Sequence, residues 1–253
     1  MTELATTQQQ KPFKILLIGD TCVDIYQYGT IDRLSPEAPV PVFVPTHKEE
    51  RDGMAGNVYA NLTALGCDVT LVCGSASRKT RFIDGRSRQQ ILRLDEDHKS
   101  IPLVNVDPTG YDAVVISDYG KGVVGYELVE KIIQSKLPVF IDTKKTDLSR
   151  FQGAWVKINE LEFSKIKTEC SGLIVTKGSK GATIVYQRYN CPAPNVEVAD
   201  VTGAGDTFLS ALTYCYLETK NIETAVDFAI RASSITVQHL GCYAPTLGEI
   251  LGR

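Results

Sequence analysis

The stretch Ala199-Asp-Val-Thr-Gly-Ala-Gly-Asp-Thr-Phe208 joins two glycines and two aspartates to the start of an amphipathic segment. Beyond Gly205 the apolar side chains fall at Phe208, Ala211, Leu212, Cys215 and Leu217, roughly three to four apart, the period of a helix with one buried face. This predicts a helix opening at Gly203-Ala204-Gly205 with Thr202 as its N-cap. Such a start aims N–H groups and the positive end of the helix dipole at whatever stands in front, and small residues let an anion come close. Asp206 sits in the first turn, where the dipole favours a carboxylate but a bound anion would repel it. A carboxylate beside an anion cradle suits phosphoryl transfer to an alcohol: Asp206 takes the hydroxyl proton, and the Gly203, Ala204 and Gly205 amides stabilise the transferring group. Taken alone, the same wording also suits a plain capped helix after a Gly-rich turn.

Working outward, 253 residues with 43% hydrophobic and 23% charged side chains bound one sizeable core in an ordinary globular composition. A formal charge of −3 and the lack of a long basic run disfavour nucleic acid or an anionic membrane as partner. The seven cysteines are odd in number, scattered and never spaced Cys-x-x-Cys. Neither a disulfide framework nor a zinc site is indicated, and reduced thiols in a cytoplasm are expected. Met1 to Gln10 reads as a polar, loose tail without the apolar centre of a signal peptide, and no apolar run reaches membrane-spanning length.

Short apolar runs that end in an acid recur along the chain. They are Lys14-Ile-Leu-Leu-Ile-Gly19 before Asp20, Ala113-Val-Val-Ile-Ser-Asp118 and Pro138-Val-Phe-Ile-Asp142. Each reads as a buried strand with its acid at the C-terminal edge, where open α/β sheets bind ligands. Between the strands, helical patterns carry Val58, Leu62 and Leu65 before Gly66, then Val124, Leu128, Val129 and Ile132, and finally small and apolar residues from Ile222 to Leu240. Three prolines in the six residues 36–41 exclude a central strand and allow an edge ribbon that protrudes. Leu173 to Tyr186 reads as two strands around a glycine turn. Neither a Walker A loop nor a dinucleotide fingerprint is present.

Taken together, Ala-Asp-Val-Thr-Gly-Ala-Gly-Asp, Asp52-Gly-Met-Ala-Gly-Asn57, Ser117-Asp-Tyr-Gly-Lys-Gly122, Asn159-Glu-Leu-Glu162 and Thr176-Lys-Gly-Ser-Lys-Gly181 resemble the signatures of the ribokinase-like (PfkB) carbohydrate kinases. Arg33-Leu-Ser-Pro-Glu-Ala-Pro-Val-Pro-Val42, Lys79-Thr-Arg81 and Gln89-Gln-Ile-Leu-Arg93 resemble the branch that phosphorylates a heptose 7-phosphate in lipopolysaccharide-precursor synthesis. The resemblance implies a three-layer α/β sandwich with a largely parallel sheet, preceded by a tail over residues 1–12 and crossed by β-lid segments at about 30–46 and 79–104. It also implies ATP and Mg²⁺ as cofactors, a sugar phosphate as substrate, and a homodimer formed through the lid. By position it assigns Asp20, Asp24, Arg33, Gly53, Asn57, Asp118, Lys121 and Lys144 to the sugar phosphate. Thr176, Lys177, Gly178 and Gly181 go to the nucleotide, and Asn159 and Glu162 to Mg²⁺ through water, although the Asn-x-x-Glu spacing equally suits a helix-start carboxylate. Two departures stand out. Met54 and Gly56 replace a glycine and an alanine of the family pattern, and segments after Gly74 and between Glu162 and Gly172 are short, which should expose a sheet edge. Other sugars, such as fructose or ribose, or a sugar-phosphate binder without turnover, remain alternative readings.

Overall fold

The computed structural model describes residues 11–253, so the tail expected over 1–12 lies almost wholly outside the described residues. An eight-stranded sheet forms the body, in the order β12-β11-β10-β9-β8-β7-β1-β4. Its parallel part comprises β1 (Lys14–Gly19), β4 (Asp68–Cys73), β7 (Ala113–Asp118), β8 (Val139–Thr143), β9 (Trp155–Asn159) and β10 (Leu173–Thr176). The antiparallel strands β11 (Ala182–Ile184) and β12 (Tyr189–Cys191) extend it at one end, around a 3₁₀ turn at Gly178–Lys180.

Two apolar clusters hold the sheet from opposite faces, as continuous hydrophobic strands require. Ile15, Leu17, Val115 and Phe140 pack with helices α1 (Ala55–Ala64), α4 (Ala204–Thr219), α5 (Ile222–Thr236) and α6 (Leu247–Leu251). Leu16, Ile18, Ile116 and Ile141 pack with α2 (Tyr126–Gln134) and the 3₁₀ turn at Ser149–Phe151. The expected three layers are present, and α4 buries Phe208, Ala211, Leu212, Cys215 and Leu217 as its period predicts.

A second, four-stranded sheet in the order β3-β2-β5-β6 stands out from the body. It is built of β2 (Thr21–Leu34), β3 (Pro41–Met54), β5 (Ser77–Asp84) and β6 (Gln90–Glu96). The proline-rich stretch supplies the turn and the start of β3, an edge strand, as a missing N–H donor dictates. This lid takes in more chain than the two segments expected and begins immediately after β1. The quick passage from β4 to β5 leaves β4 as the last strand of the main sheet, paired only with β1 and half-buried or exposed along its length.

Met54 closes β3 and precedes α1 with φ 56° and ψ −127°, a conformation glycine adopts freely and other residues rarely do. Strain of this kind costs on the order of 1–3 kcal/mol. The Met54 side chain is buried, and its backbone is fixed by pairing with Thr21.

Candidate active site

The C-terminal ends of β1, β7, β8, β9 and β10 converge on the N-terminus of α4. Gly203, not Thr202, is the N-cap of that helix, with φ 79°. The left-handed backbone there excludes a side-chain cap, and the Thr202 hydroxyl instead donates to Asp200 Oδ1 at 2.7 Å. Asp200 Oδ2 accepts the Gly241 N–H at 2.9 Å, so it ties the loop before α4 to the loop after α5.

Asp206 is 5% exposed. Its Oδ2 accepts Asn57 Nδ2 at 2.8 Å and its Oδ1 accepts the Tyr119 hydroxyl at 2.9 Å. Burial pushes the Asp206 carboxyl up to about 6; the Asn57 hydrogen bond opposes this, the Asp142 charge adds to it, and the Lys157 charge and the Tyr119 hydroxyl oppose it. A carboxyl raised toward neutrality in this way suits a general base. Burial, and after it the Asp206 charge, holds the Tyr119 hydroxyl well above its usual range, so it stays a donor.

Asp20, expected to accept sugar hydroxyls, is 1% exposed and already engaged. Its carboxylate accepts the backbone N–H groups of Tyr119 at 2.9 Å, Lys121 at 3.0 Å and Val123 at 3.2 Å. Asp20 thus anchors the loop that carries Tyr119 to Asp206. Asp118 is likewise buried and accepts from Gly120 N–H, Thr143 Oγ1 and Lys145 Nζ. Asp24 pairs with Arg81 at 2.5 Å, and Gly53 lets β3 cross it, since a Cβ there would fall 2.3 Å from Asp24 Oδ2.

The three cations expected to read a substrate phosphate are not brought together. Arg33 is exposed near the end of β2, Lys121 pairs with Asp97 at 2.6 Å, and Lys144 pairs with Glu162. Two arginines lie on the lid instead, Arg51, which no motif singled out, and Arg81 of the Lys79-Thr-Arg81 motif; each stands 5.2 Å from the centre of the Tyr26 ring. Arg51 also reaches the loop after α5, where a Cβ on Gly241 would fall 2.7 Å from its Nη1.

Asn159 and Glu162 form a reciprocal capping box on the short helix α3 (Glu160–Phe163). Asn159 Oδ1 accepts the Glu162 N–H and Glu162 Oε2 accepts the Asn159 N–H, each at 2.8 Å. Among the described residues no three acid, histidine or cysteine side chains gather as a metal-binding group. Carboxylate and amide oxygens keep lone pairs beyond these bonds, so the pair fits an outer, water-mediated role toward a Mg²⁺ carried on phosphates.

Thr176, Gly178 and Gly181 line one side of a cavity of about 310 Å³ whose other wall is Ala204, Gly205 and Phe208. Lys177 is half-buried; its N–H donates to the Gly181 carbonyl at 2.7 Å and closes the loop. Gly181 has φ 90°, and a Cβ there would overlap the Cys191 carbonyl. The chain thus places an apolar pocket and a tight glycine loop against the α4 N-terminus, where Ala204 and Gly205 line the pocket and Asp206 is the next residue of the turn.

Residues 156–247 match the profile of the pfkB family carbohydrate kinases. The bifunctional protein HldE of Nitratiruptor sp. is 36% identical over 299 aligned positions, which take in 94% of this chain and 64% of that protein. HldE of Campylobacter jejuni strain RM1221 is 33% identical, with 96% and 64% covered. The chain therefore spans less than two thirds of these relatives. The alignments also exceed its 253 residues, so the relatives carry residues without a counterpart here, as the short segments suggest. Among solved structures, Arabidopsis thaliana ribokinase complexed with ribose and ATP superposes with a TM-score of 0.71 at 17% identity, over 96% of this chain and 98% of that one. Ribokinase from Thermotoga maritima gives 0.68 at 18%, over 95% and 98%. These likenesses show a ribokinase-like fold.

Proposed function

We propose, from the match of residues 156–247 to the pfkB carbohydrate kinase profile, that the chain transfers the terminal phosphoryl group of ATP to a hydroxyl of a sugar that already bears a phosphate. A heptose 7-phosphate giving the 1,7-bisphosphate is the reading we favour. The observation that carries the kinase assignment is Asp206, held by Asn57 and Tyr119 in the first turn of α4, whose preceding residues Ala204 and Gly205 line the cavity shared with the glycine loop. Asp206 accepts the proton of the attacking hydroxyl as the new oxygen–phosphorus bond forms and the bond to the ADP oxygen breaks. The α4 first turn stabilises the negative charge on the phosphoryl oxygens through its N–H groups. Mg²⁺, when bound with the nucleotide phosphates, neutralises their charge; Glu162 and Asn159 are the residues here that would face its water shell.

For the sugar's own phosphate, Arg51 and Arg81, both on the lid beside Tyr26, join Arg33, Lys121 and Lys144 as candidate partners, with Arg81 paired to Asp24 and Arg51 to Glu49. Charge-assisted contacts of ~1.5–3 kcal/mol each would favour a phosphorylated acceptor by roughly tenfold or more per contact. A coupled assay of ADP release across heptose 7-phosphate, heptose, fructose and ribose tests this. The expected result is a higher kcat/KM for the phosphorylated heptose by at least that factor. Equal values for heptose and heptose 7-phosphate would remove the specificity and leave the kinase. Tight binding of the sugar phosphate with no ADP release from any acceptor would mark a binder without turnover.

The lid supports a homodimer. Leu34, Val40, Val44, Ile91, Leu92 and Leu94 are exposed on one small sheet, more apolar surface than a monomer's edge ribbon ordinarily leaves to water. Light scattering at micromolar concentration is expected to give twice the chain mass, and a fully active monomer would remove this assembly.

A further inference from the structure

Lys157 is 4% exposed in the middle of β9. Its neighbours Val156 and Ile158 belong to the apolar cluster on the α2 side of the sheet. Strand alternation turns position 157 to the opposite face, beneath α4, where its cross-strand partners are Ile174 and Asp142. A hydrocarbon side chain would fill this place without loss of hydration, whereas an ammonium gives up its water and needs a counter-charge.

Asp142 provides it, accepting Lys157 Nζ on Oδ2 at 2.6 Å. The other Asp142 oxygen is buried without a hydrogen-bond partner, as is Ser117 Oγ on the paired position of β7. A Cβ built on Gly205 would fall 2.8 Å from Lys157 Nζ, so the ammonium lies directly under the first turn of α4 and would have to shift for any larger residue there. The next residue of that turn is Asp206.

We infer that Lys157 is a positioning residue for Asp206: its ammonium, held by Asp142 under Gly205, is an internal counter-charge that keeps Asp206 ionised and able to accept a proton. The functional meaning rests on Asp206 being the base, while the electrostatic claim stands on the arrangement of charges alone. Five side chains act on Asp206. They are Asn57 of α1, Tyr119 of the loop after β7, Asp142 of β8, Lys157 of β9 and Cys242 of the loop after α5. Asn57 and Tyr119 donate hydrogen bonds to it, the Cys242 thiol is pushed up to about 11 by burial and so is neutral, and Asp142 repels it. Lys157 is the only cation in this set. Its own pKa stays above the ordinary lysine value: burial works against the charge, but the Asp142 charge and hydrogen bond, together with the charges of Asp206 and Glu162, outweigh burial.

The test pairs Lys157→Met with Asp142→Asn in the full chain. The ionisation of Asp206 is read by a ¹³C-carboxyl NMR titration, with its signal identified by loss in Asp206→Asn, and the acid limb of kcat/KM is followed in parallel. Removing the cation is expected to move the Asp206 titration up by on the order of one pH unit. Removing the neighbouring anion is expected to move it down. Structural damage alone would not shift the same group in opposite directions. Shifts of the same sign, or an unmoved titration in both variants, would overturn the inference. Should Lys157→Met fail to fold, Lys157→Gln decides: an upward shift supports the counter-charge and an unchanged or lowered value refutes it. If the unaltered chain shows no turnover, the kinase reading falls, while the NMR titration still decides whether Lys157 sets the charge of Asp206.

Discussion

Asp206→Asn is expected to lower kcat by ~10²–10⁴-fold, the usual contribution of a positioned base, with KM values little changed. The substitution suits this test because the site has one fixed donor and one adaptable partner. Asn57 Nδ2 can only donate, so the new amide would turn its oxygen toward Asn57 and its NH₂ toward the Tyr119 hydroxyl, which can accept. Shape and hydrogen bonding then persist while the proton acceptor is lost. Steady-state kinetics, with melting measured beside them, check it. Turnover within about threefold of the unaltered protein would remove Asp206 from the chemistry.

The second large effect is expected at Gly203. Its φ of 79° is unfavourable for alanine, and a Cβ would fall 2.7 Å from Asn57 Nδ2. The backbone term is roughly 1–2 kcal/mol. The contact is more damaging, because it pushes Asn57 away from Asp206 and disturbs the amides that face the transferring group. Loss of one such electrostatic donor ordinarily costs ~10²–10³-fold in kcat. Gly66→Ala separates the two terms, since Gly66 has φ 85° and nothing within 4 Å of its Cβ position. Gly66→Ala should lose stability without losing turnover, whereas Gly203→Ala should lose both. Equal kcat in the two variants would show that the close approach to Asn57 is unimportant.

Much of this architecture is legible in the chain itself. The strand-then-acid runs mark the C-terminal edge of the sheet, and the stretch around Asp206 marks the helix that faces it. The pairing of Asn57 with Asp206 is not legible there: the motif resemblance gives Asn57 to the sugar phosphate, and no local pattern links residues 149 positions apart. What escaped the sequence has physical reasons. Thr202 looks like a cap because hydroxyls cap helices, but Gly203 takes the position once the backbone turns left-handed. Lys121 and Lys144 look like free cations because their partners, Asp97 and Glu162, come from other elements. Lys157 escapes notice because it interrupts a strand where alternation calls for an apolar residue. Tyr119 stands inside a quoted motif but has no role until Asp20 is seen to hold its loop against Asp206.

The join between lid and body has a mechanical consequence. A single residue, Asp20, separates β1 from β2, and β3 runs through the strained Met54 into α1 without a linker. The Ala55 N–H also donates to the Asp20 carbonyl at 3.0 Å, fastening the two crossings together. The ribbon therefore has no slack at its root. It behaves as a lever whose long arm is the exposed lid and whose short arm is the first turn of α1, which bears Asn57. A displacement of the lid is therefore expected to reach the amide that grips Asp206, and hydrogen exchange at the first turn of α1 would register it.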